Sequence, residues 1–499
     1  MNMAAMTLTS SPTLQDLLQD FADAPALPVA DIASDSRALT PGAVFFACRG
    51  ATSHALRFLD EGIASTLAAI VWDGDTDVAP PAGVPAFVVA DLKSKLPVVA
   101  NRFFADPSVA MRVAGITGTN GKTTVAWLLA QCWQQLGQRC AYIGTLGAGI
   151  HEISETRGLT TPDCIELQRL LAGFREQHAV RAALEVSSHG LQQERVAGTT
   201  FDTAIFTNLS RDHIDYHGDM SAYGETKARL FTEFAPRNAI ICIDSEFGRT
   251  LAQRVDKSAV LVASSANHDW HGRRYVYAIR VAATPQGALL EVRTSWGDGQ
   301  IELPLVGMFN VANALNVFAS LLADGVEFAD ALSLMAELKA PAGRMQPVLV
   351  PSRGAALPAV FVDYAHTPDA LDAALTALRP HCRGKLWCVF GCGGDRDRGK
   401  RPLMGRAAVT KADCAVLTSD NPRSEEPAAI MRDVQLGVDT ELTAIEDRAA
   451  AIAWAIAQAT ADDVVLIAGK GHEDYQLVAG QRLDFSDYQA AAENLRRRQ

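Results

Sequence analysis

Gly115-Ile116-Thr117-Gly118-Thr119-Asn120-Gly121-Lys122-Thr123-Thr124 joins an apolar run at residues 113–116 to a stretch where Val125, Leu128, Leu129, Cys132 and Trp133 share one helical face. A buried strand, a glycine-rich turn and a helix in that order make a phosphate cradle, because backbone N–H groups and the positive end of the helix dipole face the anion. Lys122 can reach terminal phosphates, and the Thr123 hydroxyl can ligate Mg²⁺. A strict P-loop has glycine five residues before Gly121; Ile116 stands there instead, and the glycines are Gly115 and Gly118. The loop is a variant, and its plain alternative is a glycine-rich turn with a solvated lysine. Gly-Lys-Thr-Thr between strand and helix favours a nucleoside triphosphate site.

With 499 residues the chain exceeds a single core, and about three domains are expected. A net charge of −12 argues against nucleic acid or an anionic membrane as the main partner. Cysteines at 48, 132, 140, 164, 242, 382, 388, 392 and 414 contain no C-x-x-C, so reduced thiols are expected, with Cys388 and Cys392 structural. The first dozen residues lack a basic n-region, and no apolar run approaches membrane-spanning length. The expectation is a soluble, cytoplasmic protein.

Along the chain, residues 1–106 read as a small α/β domain with strands at 44–48 and 67–72 and a helix between them at 54–62. The turns Asp35-Ser36-Arg37 and Arg49-Gly50-Ala51-Thr52-Ser53-His54 suit either ligand binding or plain loop chemistry. Residues 107–340 form the nucleotide domain, with further strands at 141–143, 182–186, 203–207 and 239–243. Apolar strands alternating with helices predict a parallel, doubly wound sheet. Residues 275–305 alternate in polarity and read as appended antiparallel strands, with turns at Gly287 and at Gly297-Asp298-Gly299. From 341 to 499 a third α/β unit follows, with strands at 360–362, 386–390, 414–417 and 464–467 and helices at 368–378 and 448–459.

Ligands of parallel sheets sit at the carboxyl ends of the strands. Glu185 and His213 follow two such strands and, with the loop threonine, are a candidate Mg²⁺ set; a helix cap and a surface histidine are the plain alternatives. Lys227, within Tyr223-Gly224-Glu225-Thr226-Lys227-Ala228, reads from its residues as a solvated helix lysine. Four polar loops close the strands of the last unit: Asp363-Tyr364-Ala365-His366, the glycine- and arginine-rich 391–401, Asp420-Asn421-Pro422-Arg423, and Gly469-Lys470-Gly471-His472-Glu473. Their mixed charge suits a zwitterion such as an amino acid better than a bare phosphate.

These motifs resemble, in order and over nearly the whole chain, those of the ATP-dependent Mur ligases of peptidoglycan synthesis. Gly118 to Thr124 resembles their ATP loop, followed by Glu185-Val186-Ser187-Ser188-His189-Gly190, Asn208 with Asp212-His213, Asn310 with Asn313, Gly343-Arg344, and Asp363 to His366. Asp420-Asn421-Pro422-Arg423 is similar to the signature of members that add meso-diaminopimelate; members that add L-lysine usually lack the arginine, whose guanidinium suits a second carboxylate. The resemblance implies three α/β domains: a substrate-binding N-terminal one, a central P-loop-type mostly parallel sheet with helices on both faces plus a small antiparallel sheet, and a Rossmann-like C-terminal one.

The resemblance also implies roles. ATP would be held by Gly118, Thr119, Asn120, Gly121, Lys122, Thr123, Thr124, Asn310, Arg344, Asp363 and His366. UDP-N-acetylmuramoyl-L-alanyl-D-glutamate would be held by Ser36, Ala51, Thr52, Ser53, Thr160, Thr161, Ser187, Gln193 and Arg195, and diaminopimelate by Arg396, Asp420, Asn421, Pro422, Arg423, Gly469 and Glu473. Lys122, Glu185, His213 and Lys227 would be catalytic, with Lys227 carbamylated by CO₂ so that it joins Thr123, Glu185 and His213 around Mg²⁺. A monomer that closes over its three substrates is expected, and folylpolyglutamate synthetase is the rival with the same loop.

Overall fold

Strand Arg112–Thr117 is buried after its first residue and runs through the glycine loop into helix Lys122–Gln135. Val125, Leu128, Leu129, Cys132 and Trp133 are all buried, as their spacing requires. The computed structural model describes residues 12–50, 52–154, 158–265, 268, 270, 272–284, 286–351, 354 and 356–499. The chain divides into two units. One takes residues up to Thr119 with Leu136–Ile205 and Leu209–Ala239; the other takes Asn120–Gln135, Phe206–Asn208 and Ile240–Gln499.

In the first unit, strands Asp31–Ala33, Ala43–Ala47, Ala69–Trp72 and Ala86–Val88 form a four-stranded parallel sheet. Its core joins Leu14, Leu17 and Leu18 to the apolar face of helix Leu92–Phe104 and to Ile165 and Ala172 of helix Cys164–Glu176. Arg169 fastens that last helix to the sheet, donating to Asp31 Oδ1 (2.7 Å) and to the Ile32 carbonyl (2.6 Å). The helix expected over 54–62 is broken into a 3₁₀ turn, Ala55–Phe58, and a short helix, Glu61–Ala64. His54 and Asp60 each cap a separate N-terminus, so two capping residues within seven positions divide what periodicity alone joins. Strand Arg112–Thr117 pairs in parallel with Arg181–Glu185, which pairs in parallel with Cys140–Gly144.

In the second unit, residues 240–242, Val260–Ala263 and Arg274–Thr284 pair in parallel, and Gly287–Thr294 and Gly297–Leu303 continue antiparallel. Val260–Ala263 was not among the expected strands, and the turn expected at 297–299 falls at Ser295-Trp296, so that Gly297 opens a strand. A six-stranded sheet follows in the order Gln346–Pro347, Ala359–Asp363, Val464–Ala468, Leu386–Phe390, Cys414–Leu417, Thr443–Ala444, parallel except at its first edge. Leu371, Leu375, Met404 and Val434 cover one face, and Ile452, Ile456, Ala491 and Leu495 the other. Helices Pro368–Leu378 and Arg448–Gln458 lie where expected. A hairpin, Tyr475–Val478 with Gln481–Asp484, was not foreseen.

Candidate active site

The glycines of the loop divide into two kinds. Gly118 (φ 146°) and Gly121 (φ 86°) adopt backbone that side chains resist, and a Cβ on Gly121 would strike the Asn313 amide oxygen. Gly115 serves packing: a Cβ there would lie 2.7 Å from the Phe201 ring. That is why the motif departs from a strict P-loop without losing its turn. The loop is pinned from several sides. Asn208 Oδ1 accepts from the Asn120 N–H (3.0 Å), Thr207 Oγ1 donates to the Asn120 carbonyl (2.6 Å), and Thr119 Oγ1 accepts from the Ser210 N–H (3.0 Å). Asn313 donates to Asn310 Oδ1 (3.1 Å), which places Asn310 behind the residue that faces Gly121.

Lys227 is not solvated, contrary to the plain reading of its helix. It is 1 % exposed, its Nζ donates to the Gly118 carbonyl at 2.9 Å, and it lies 4.4 Å from the centre of the Tyr223 ring. Residues 220–232 form a helix whose Tyr223, Lys227, Leu230 and Phe231 face inward, and the lysine head reaches the loop from there. Tyr223 donates to Thr119 Oγ1 (3.2 Å), and burial pushes its phenol up to about 12. Glu185 is fully buried. Its carboxylate accepts from the Tyr142 hydroxyl (2.5 Å), the Thr145 N–H (2.9 Å) and Thr145 Oγ1 (3.2 Å), and Gly144 leaves room for it. His213 has a left-handed backbone (φ 53°), is 46 % exposed at its side chain and packs edge-on to His189, with ring centres 4.8 Å apart. Burial holds the His189 and His217 imidazoles below the ordinary histidine value.

A cavity of about 660 Å³ in the first unit is lined by Ser36, Thr52, Ser53, Gln193 and Arg195. Ala51 lies outside the described residues. Arg195 donates to the Thr161 carbonyl (2.9 Å), Thr161 Oγ1 donates to the Glu185 carbonyl (2.8 Å) and pairs with Ser187 Oγ (3.0 Å), and Thr160 pairs with Thr145 (3.1 Å). Polar contacts therefore run from the cavity wall to Glu185. His54, by contrast, is a fold residue, buried against Asp73 at 2.9 Å.

In the second unit the four polar loops follow four adjacent parallel strands. Asp363 accepts from the N–H groups of Met345 (2.7 Å) and Ala365 (2.9 Å), and burial raises its carboxyl. Arg344 lies over the Tyr364 ring at 4.9 Å, and His366 is exposed beside the same ring. Asn421 accepts from the Leu477 N–H (2.9 Å) and Lys470 Nζ (3.1 Å) and donates to Glu473 (2.8 Å). Arg423 Nη1 donates to the Gly394 carbonyl (2.8 Å), and a Cβ on Gly393 would come within 2.9 Å of that nitrogen. Arg396 is exposed. Two cations of residues 391–401 are paired within the protein: Arg401 is buried against Glu425 (2.7 Å) and Asp433 (2.8 Å), and Arg398 also pairs with Glu425 (3.0 Å). Arg401, the buried one, ties the loop to Glu425 and Asp433.

Residues 116–321 match the Mur ligase middle domain, and residues 343–471 match the Mur ligase glutamate ligase domain. The chain belongs to the Mur ligase family. This Mur ligase is 45 % identical over 496 residues to the UDP-N-acetylmuramoyl-L-alanyl-D-glutamate–2,6-diaminopimelate ligase of Alkalilimnicola ehrlichii, covering 97 % of this chain and 98 % of that protein. The ligase of the same name from Chromobacterium violaceum is 47 % identical over 476 residues, 94 % of each. A solved structure of a ligase of that name is similar at a TM-score of 0.71 and 34 % identity, over 98 % of this chain and 99 % of the other. Folylpolyglutamate synthase of Mycobacterium tuberculosis, solved with ADP and AMPPCP, shares the fold at a TM-score of 0.58 and 20 % identity, over 75 % of this chain and 91 % of its own. Among the described residues, no helix of this Mur ligase is long and apolar enough to cross a membrane.

Two sets of contacts around the candidate site of this Mur ligase were not read from its sequence. Lys470 is fully buried between Asn421 and Glu473 (3.1 Å to each); its loop was read as polar, but the burial of its side chain was not. Tyr142 and Thr145 hold Glu185, and nothing in their local sequence marks that contact.

Proposed function

We propose that this ligase joins meso-2,6-diaminopimelate to the D-glutamate γ-carboxylate of UDP-N-acetylmuramoyl-L-alanyl-D-glutamate, driven by ATP, in peptidoglycan precursor synthesis. What carries the reading is similarity at 45–47 % over nearly the full length to ligases named for this reaction, with Asp420-Asn421-Pro422-Arg423 at a strand end. Its working parts are a substrate domain at 1–106, an ATP domain at 107–340 and an amino-acid domain at 341–499, in a cytoplasmic monomer.

The muramoyl dipeptide occupies the cavity lined by Ser36, Thr52, Ser53, Gln193 and Arg195, with Thr160, Thr161 and Ser187 leading towards Glu185. A γ-carboxylate oxygen attacks the γ-phosphorus of ATP, ADP leaves, and an acyl phosphate forms. Lys122 and the amides of Gly118 to Thr124 offset the charge on the phosphoryl group in flight. The amine of diaminopimelate then attacks the acyl carbon and loses a proton, and inorganic phosphate departs. Asp420 to Arg423, Arg396, Gly469 and Glu473 hold that amino acid, and positioning supplies much of the rate. Asn310, Arg344, Asp363 and His366 complete the nucleotide site.

The donor chemistry suits a hard cation: Thr123, Glu185 and His213, joined by a carbamate on Lys227, would hold Mg²⁺, which when bound offsets charge on the phosphates. A carbamate on Lys227 would add an anionic oxygen donor to that set. Lys227 sits out of water against Gly118, the environment in which lysine amines are recruited to covalent chemistry. Phosphate release tests the reading. It should require muramoyl dipeptide and diaminopimelate together; release without an amino acid, or with a folate acceptor and glutamate, would contradict it.

A further inference from the structure

Arg448 opens helix Arg448–Gln458 and Asp487 opens helix Asp487–Arg497, and both side chains are 0 % exposed. The pair is bidentate: Nε donates to Oδ1 and Nη2 to Oδ2, each at 2.7 Å. The same guanidinium reaches two strand ends. Nη2 donates to the Ala468 carbonyl (3.0 Å), and Nη1 donates to the Ser419 carbonyl (3.3 Å). Ala468 immediately precedes Gly469, and Ser419 immediately precedes Asp420. Strand Leu386–Phe390 lies between the two strands concerned, so the guanidinium spans it to tie one polar loop to the other. Gly469 leaves no room for a side chain there: a Cβ would lie 2.5 Å from Asp420 Oδ2 and 3.9 Å from Arg448 Nη2.

We propose that Arg448, oriented by Asp487, is a positioning residue for the amino-acid substrate: it sets the separation of the Asp420–Arg423 and Gly469–Glu473 loops without touching the substrate. A buried ion pair of this kind adds little to net stability against an apolar replacement, so its geometric role explains it better. A planar fork is needed because four directed donors serve one carboxylate and two carbonyls; an ammonium keeps the charge and loses the span. This inference rests on the amino-acid role assigned to the two loops above.

The test measures KM for each of the three substrates and kcat in Arg448→Lys and in Asp487→Asn, with melting temperature alongside. The clamp predicts that Arg448→Lys raises KM for diaminopimelate by about tenfold or more while KM for ATP and for muramoyl dipeptide stays the same. Asp487→Asn, which leaves the guanidinium in place, should shift the same constant in the same direction by less, and the melting temperatures show which variant is folded at the assay temperature. A lowered melting temperature or kcat with an unchanged amino-acid KM in a folded variant would overturn the proposal. If the unaltered enzyme makes no product with diaminopimelate, the substrate reading fails by itself. The clamp is then judged on KM for whichever amino acid the unaltered enzyme accepts.

Discussion

Arg423 keeps a left-handed backbone (φ 54°) because the hairpin beside it takes both of its peptide groups: its N–H donates to the Leu477 carbonyl (2.9 Å), and its carbonyl accepts from Ala479 (2.8 Å). If the guanidinium pairs with the second carboxylate of diaminopimelate, Arg423→Ala removes a charge-assisted pair worth about 2–4 kcal/mol. Steady-state kinetics should show KM for diaminopimelate raised about 30-fold or more, with KM for ATP unmoved; an unmoved amino-acid KM would contradict that pairing. Gly115 behaves differently. Gly115→Ala pushes a methyl into Phe201 and should cost about 1–3 kcal/mol, seen as a lower melting temperature, with ATP affinity kept. The glycine run was legible as a turn, but which glycine served the anion and which served Phe201 was not, since Phe201 is distant in sequence. Lys227 was equally opaque: helix spacing cannot tell an inward lysine that meets a loop carbonyl from an outward one in water.

At the scale of elements, the loop of residues 391–401 is held by Glu425, whose carboxyl is lowered from an ordinary value near 4.5 to about 2 by hydrogen bonds from Arg401 and from the Asp395 N–H. A depressed carboxyl stabilises the folded state above its unfolded value and loses that contribution as pH falls from about 4.5 towards 2. Glu425→Gln should therefore lower stability at neutral pH and flatten the loss on acidification, as thermal melts across that range would show; parallel wild-type and variant curves would refute the assignment. Long, strongly periodic elements such as residues 122–135 and 368–378 were readable because a buried stripe at helical spacing has few alternatives. The hairpin at 475–484 was not. Its turn, Ala479-Gly480, carries alanine at φ 49° where asparagine or glycine would signal the turn, and the hairpin pairs with Asp420 to Arg423, far away in sequence.

For the whole molecule, three substrates must meet and water must be excluded from an acyl phosphate, so binding should be coupled to domain closure. Solution scattering should show a smaller radius of gyration with saturating ATP analogue and muramoyl dipeptide than without them; an identical profile would contradict closure. The α/β class, the parallel sheets and the four polar loops on one sheet edge followed from alternation and strand-end chemistry alone. The contacts that tune those loops did not, because they join elements separated by tens of residues. One reaction decides the assignment. Purified enzyme with ATP, magnesium, bicarbonate, UDP-N-acetylmuramoyl-L-alanyl-D-glutamate and an equimolar mixture of meso-diaminopimelate and L-lysine should yield, by product mass, the diaminopimelate tripeptide nucleotide in large excess. A lysine product, an equal mixture or no tripeptide would contradict it.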